Sequence, residues 1–386
     1  MRRTVYLDYA ATSPIRPQVR GAMGPFNDAA FGNPSSIHAH GRDARVAVEA
    51  ARRRILGALG VSDGRLIFTG SGTESDNLAL LGFGRRHPDA RIICSAVEHK
   101  AVIAAAAALQ ARGRQVHSIP VNEHGVLDLQ VLEALLSAEE RPTLVSVMWA
   151  NNETGVVQPI ERVAALCQAR GAILHSDAVQ AMGKLDFRLG DTAVQMLSLS
   201  AHKLGGPKGI GALVVCGPVE LEPLVYGGGQ ESGLRSGTEN VAGIVGFAEA
   251  VAVSSAERER ESARLHALRD RLEAGLREAL PEIVVNGAAA PQRLPHITSI
   301  SIPDVDIESL LTALDLEGVC VSSGSACTTG SVEASHVARA MGLDGDWARN
   351  TIRLSLGWGT EAEDIEYVSA TLPKLVRRIR DFTARA

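Results

Sequence analysis

The sequence predicts an α/β protein with a large, mainly parallel sheet followed by a smaller α+β part. Three observations carry that expectation. Short apolar runs alternate with helical patterns through most of the chain, as strands joined by crossover helices do. The alternation changes near Ser254, where a long, charged, leucine-spaced segment begins. The 386 residues, 45% hydrophobic and 22% charged, suffice for a full core without disulfide or metal staples.

Strands are expected over 66–69, 91–95, 115–119, 143–148, 173–176, 196–200 and 212–216. Helical segments over 74–82, 100–112, 129–137 and 160–170 separate the early ones. Helices then cover both faces of one sheet, and ligands belong beyond the carboxyl ends of its strands. From Ser254, Leu265, Leu268, Leu272 and Leu276 recur at helical spacing, and Pro281 ends that helix. The remainder reads as strand-like ITSISI, a helix over 307–314, strand-like GVCVSS, a glycine-serine loop, strand-like TIRLSL and a helix from Glu361. The expected division is 15–253 for a large domain, with 1–14 and 254–386 forming a small one.

Composition excludes several function classes. The net charge of −5 leaves no basic surplus for nucleic acid or an acidic membrane. Asp8 interrupts the first apolar stretch too early for a signal peptide, and the longest apolar run, 101–109, cannot span a bilayer. A soluble cytoplasmic protein is expected. The five cysteines are odd in number and contain no CxxC pair, which argues against a disulfide framework or a four-cysteine zinc site. Cys94, Cys167 and Cys216 lie in apolar patterns and read as small buried hydrophobes. Cys320 reads the same way, with a resolving-thiol role as the alternative. Cys327 differs, because SSGSACTTGS is loop chemistry. No metal is expected, since His38 and His40 lack a third ligand at supporting spacing.

Three segments could carry chemistry. In SLSAHKLGGPKG, Lys203 follows a strand and precedes glycines. It is either a surface lysine in a turn or an amine poised for Schiff-base chemistry, with Ser200 and His202 beside it to hold a phosphate. In IFTGSGTESDNLAL, a strand runs through Gly70-Ser71-Gly72-Thr73 into a helix, a setting in which backbone amides cradle a phosphate. It is neither a complete GxGxxG nor a Walker A, so a mononucleotide-sized phosphate fits better than a dinucleotide. A plain helix cap by Thr73, Ser75 or Asp76 is the alternative. In HSDAVQAMGK, Asp177 follows a buried-looking strand and Gln180 comes three residues later. Asp177 could pair with a protonated pyridine nitrogen, or simply cap a helix.

Together these segments resemble the class-V aminotransferase family of fold-type I pyridoxal-phosphate enzymes, and within it the cysteine desulfurases of the NifS/IscS group. The resemblance runs through YLDYAATSPI, FGNPSSIH, TESDNLA, EHKAV, NNETGVVQPI, SDAVQ, SAHKLGGPKGIGAL, GGGQESGLRSGTEN, SSGSACTTGSVEASH and TIRLSLG. It implies a seven-stranded large-domain sheet and pyridoxal 5'-phosphate as a Schiff base on Lys203. It further implies Asp177 at the pyridine nitrogen, Gln180 at the phenolic oxygen and His99 stacked on the ring as a proton carrier. Gly72, Thr73, Ser200 and His202 would hold the phosphate, and Thr238 would reach the partner subunit's site in a homodimer. Asn152 and Arg353 would bind the substrate carboxylate, Arg353 through its guanidinium fork. Cys327 would take sulfur from L-cysteine as a persulfide, releasing L-alanine, and pass it to an acceptor or scaffold protein, as in iron–sulfur cluster assembly. The loop and the short tail lean toward the NifS-like branch. A selenocysteine lyase, an aminotransferase or a non-catalytic scaffold of the same fold are the other readings.

Overall fold

The computed structural model describes residues 4–323 and 334–384. Its centre is a seven-stranded sheet in the order β2 (Arg65–Thr69), β8 (Gly211–Val215), β7 (Met196–Ser200), β6 (Ile173–Asp177), β5 (Thr143–Ser146), β3 (Arg91–Ser95) and β4 (Gln115–Ile119). Only β8 runs against its neighbours, so the sheet is mainly parallel. The strand expected over 173–176 extends one residue, which makes Asp177 its last member. In register, Asp177 lies opposite Ser198, so β6 and β7 deliver Asp177 and Ser200 to the same sheet edge.

Helices α3 (Gly72–Arg86), α4 (Lys100–Gln110), α5 (Leu129–Ala138) and α6 (Ile160–Ala169) connect the strands. Two further helices, α1 (Pro17–Asn27) and α2 (Ala39–Ala58), were not legible as such and pack against α7 (Val241–Ala279). Pro17, Gly21, Gly24 and Pro25 obscure α1. In α2 a narrow buried stripe of Ala44, Val48, Ala51 and Ile55 is set among arginines.

The helix expected from Ser254 begins well before it, since α7 is one helix of 39 residues. Its first half buries Ile244, Phe247 and Val251 in the core of the large sheet. Its second half buries Leu265, Leu272 and Leu276 in a second core. That second core also holds Val5 and Leu7, so the N-terminal strand β1 (Val5–Tyr6) packs with the C-terminal part of the chain.

The second sheet has the order β12 (Ser322–Ser323), β13 (Thr351–Ser355), β10 (Ile297–Ser301) and β9 (Val284–Val285), with antiparallel pairing throughout. GVCVSS does not form one strand. β11 (Val319–Cys320) pairs with β1, and after Val321 the two residues of β12 pair with β13. Helices α8 (Ile307–Leu316), α9 (His336–Ala340), α10 (Gly345–Arg349) and α11 (Ala362–Thr383) complete this part. Among the described residues no helix is long and apolar enough to cross a membrane.

Candidate active site

A cavity of about 380 Å³ lies at the carboxyl ends of β6 and β7, beside the start of α3. Gly72, Thr73, Ser200, His202 and Lys203 line one side, and Asp177 and Gln180 its floor. His99 and Asn152 line it as well, and Arg353 reaches it from β13. Thr238 is exposed and not among the lining residues. Cys327 lies outside the described residues, although Ser322, Ser323 and His336 on either side of that gap line the cavity.

Local structure explains each placement. Ser71, rather than Thr73, Ser75 or Asp76, caps α3, and its side chain accepts from the Glu74 amide at 3.1 Å. A Cβ at Gly72 would sit 2.9 Å from Val179 Cγ2 and 3.4 Å from the Ser200 Cβ. The glycine therefore lets α3 begin hard against the strand ends. Asp177 accepts from the Val179 amide at 2.9 Å. His99 caps α4, its Nδ1 accepting from the Ala101 amide at 3.2 Å. With Nδ1 engaged as an acceptor, the neutral ring carries its proton on Nε2.

The N-terminal segment after β1 threads through the site. Lys203 Nζ donates to the carbonyls of Ala10 and Ala11 at 2.6 and 2.5 Å. Gln180 Nε2 donates to the same Ala10 carbonyl at 2.9 Å, and His202 Nδ1 lies 3.0 Å from Thr12 Oγ1. Arg353 donates to Asp8 at 2.9 Å and to the Asn152 carbonyl at 3.0 Å.

Burial dominates the electrostatics. It pushes the Lys203 amine down to about 8, with Arg353 adding to the effect. It pushes His202 down to about 4 and lowers His99, so both rings are neutral at pH 7. It raises Asp177, opposed by His99, the Val179 amide and Lys203. Three buried acids were not assigned to the site from the sequence. Asp76 and Glu98 are held well above the carboxylate range by burial and by neighbouring carboxylates. Glu153, which accepts from Ser335 Oγ, is raised to about 7 by burial. The available signal was an acid inside an otherwise apolar run, as in SAVEHKAV, but helix-cap chemistry explained Asp76 equally well.

The chain matches the aminotransferase class-V family over residues 5–368. It is 41% identical to the cysteine desulfurase IscS of Dictyoglomus turgidum, over 98% of this chain and 96% of that one. It is 43% identical to a cysteine desulfurase of Trichormus azollae, over 97% and 94% of the two chains. The chain belongs to the class-V aminotransferase family, among the cysteine desulfurases. Solved structures agree. A NifS-like protein superposes with a TM-score of 0.90 at 35% identity, covering 98% of this chain and all of that one. The NifS-like protein of Rickettsia africae does so with a TM-score of 0.88 at 33% identity, over 97% and 99% of the two chains.

Enzymes of this family depend on pyridoxal 5'-phosphate, and the residues present fit it. Asp76, Glu98 and Asp177 are buried acids that act on one another, so the floor favours a ligand with a cationic group. The N-terminus of α3 favours an anion through its amides and dipole. The cavity volume suits a small phosphorylated heterocycle.

Proposed function

We propose that this cysteine desulfurase holds pyridoxal 5'-phosphate on Lys203, removes sulfur from L-cysteine to leave L-alanine, and carries the sulfur as a persulfide on Cys327. The observation that carries the reading is the convergence of Lys203, Asp177, Gln180, Ser200, His202 and the start of α3 on one cavity that Arg353 also enters. Bound there, the cofactor supplies an electron sink for negative charge developing at the substrate Cα.

The roles of the chain's own residues follow from their chemistry. Gly72, Thr73, Ser200 and His202 take the phosphate, and Asp177 and Gln180 orient the ring. Arg353 takes the substrate carboxylate. Its Nε is buried without a partner among the described residues, so a donor beyond those given to Asp8 and Asn152 remains. Asn152 completes that end. An amine pushed down to about 8 lets Lys203 accept the Cα proton at Nζ near neutral pH. His99 moves protons at Nε2 toward the sulfur.

Cys327 lies four residues beyond Ser323, within about 14 Å of chain reach from the cavity wall. As a thiolate it attacks the substrate sulfur, forming the S–S bond as the substrate Cβ–S bond breaks, and the electron pair stays with the carbon skeleton that is protonated to give alanine. The exposed position of Thr238 suits a residue that serves a partner's site, so the enzyme works as a homodimer. Delivery to an acceptor protein, iron–sulfur cluster assembly as a destination, a cytoplasmic location and the 15–253 division belong to the same proposal.

The test is mass spectrometry of Cys327 after incubation with L-cysteine, alongside assay of alanine. One added sulfur on Cys327 is expected in the wild-type chain. Cys327→Ser should keep the cofactor, bind cysteine and form no persulfide. Near-normal alanine and sulfide release by Cys327→Ser would overturn the assignment.

A further inference from the structure

Asp76 lies on α3, is 1% exposed and lines the same cavity as Asp177. One oxygen of each carboxylate and a ring nitrogen of His99 all fall within 4.8 Å of one another. Among the described residues the Asp76 Oδ1 has no hydrogen-bond partner, and the Nε2 of His175 is 3.6 Å away. His175 offers no compensating charge. Its ring is fully buried between the hydroxyls of Ser146 and Ser198, each 2.9 Å from a ring nitrogen, and burial pushes it down to about 3.

Among the described residues Asp177 and Glu98 are the acids acting on Asp76, both of like sign, and the Ser198 hydroxyl favours its ionised form. Asp177 is better supplied, with the Val179 amide at 2.9 Å and the field of Lys203. Two carboxylates this close in a dry site do not both ionise at neutral pH. The proton settles on the acid with fewer compensating partners.

We propose that Asp76 is a positioning residue that carries a proton at neutral pH and so leaves Asp177 as the negative charge presented at the cavity floor. Its consequence for the cofactor rests on the function proposed above. The ring nitrogen then meets one carboxylate, oriented by the Val179 amide, instead of two that repel each other.

The primary experiment needs no cofactor. The apo chain is labelled with 13C at aspartate carboxyls and followed by NMR from about pH 6 to 8. One buried carboxyl should resonate as a protonated acid throughout, and it should vanish in Asp76→Asn. An ionised Asp76 at pH 7 overturns the proposal. If Asp76→Asn fails to fold, the wild-type spectrum still decides, because the absence of any protonated aspartate is equally fatal. Titration of the apo chain with pyridoxal 5'-phosphate then reads the positioning role. Asp76→Ala should weaken binding and the neutral isostere Asp76→Asn should restore it, whereas Asp177→Asn should weaken it by about tenfold or more. Equal losses in Asp76→Asn and Asp177→Asn would also overturn the proposal. A wild-type chain that binds no cofactor would instead sink the function proposed above, leaving the NMR result to stand alone.

Discussion

The floor of the cavity and the wall facing it manage charge in opposite ways. Asp76 and Asp177 line the floor and Glu98 is buried near them; among the described residues no arginine or lysine is hydrogen-bonded to these acids, and burial raises all three. On the wall, Arg353 is already bonded to Asp8 and to the Asn152 carbonyl. Lys203 is the cation that acts on Asp177 there, so the acids outnumber the positive charge and the floor gains from a ligand that brings more of it. The wall holds a cation in place before the substrate arrives, at the cost of competition from Asp8. Pre-positioning suits the substrate end, and unmet charge suits the cofactor end.

Mutations can break this contrast in order of effect. Lys203→Ala should cost the most, because in the function proposed above Lys203 is both the cofactor's attachment and the proton acceptor. Alanine formation should fall by roughly 10³-fold or more, read in a steady-state assay. Arg353→Lys keeps a charge on the wall but loses the planar fork. KM for cysteine should rise roughly 10- to 100-fold with a smaller change in kcat.

Glu153 lies between the two regimes, since its acid is buried yet faces Arg353. Its folded-state value of about 7 is raised above the ordinary 4.5, so the folded chain holds the proton more tightly than the unfolded one. Ionising it therefore lowers stability as pH rises from 4.5 through 7. Relative to wild type, Glu153→Gln should gain up to ~3 kcal/mol across that window, measured by urea unfolding of the apo chain at several pH values. Ser71→Ala should have the smallest effect. Loss of the α3 cap should cost about 1 kcal/mol in the same unfolding assay.

The sheet was legible because most of its strands, edge strand β4 excepted, are buried on both faces and read as mainly apolar runs. The placement of Lys203, Asp177 and Gly72 at the cavity was legible because each stands at, or within three residues of, the carboxyl end of a strand. The reversed direction of β8 leaves no mark in periodicity. The role of the 8–12 segment was hidden for a different reason. Ala10 and Ala11 act through backbone carbonyls, which no side-chain pattern encodes. Asp76, Glu98 and Glu153 gain their character from burial, which depends on residues distant in sequence.

The long helix α7 sets the mechanics of the molecule. At 39 residues it is about 58 Å long and enters both cores. Its middle is braced to one side, where Arg16 meets Glu257 at 2.6 Å and Ser262 donates to the Lys184 carbonyl at 2.9 Å. Two residues beyond Ser262 it is braced to the other, where Arg264 donates to the Thr360 carbonyl at 2.6 Å. No glycine or proline lies between these braces to act as a pivot. Relative movement of the floor and the wall must therefore bend a continuous rod, and its elastic recoil would return the cleft to its resting width.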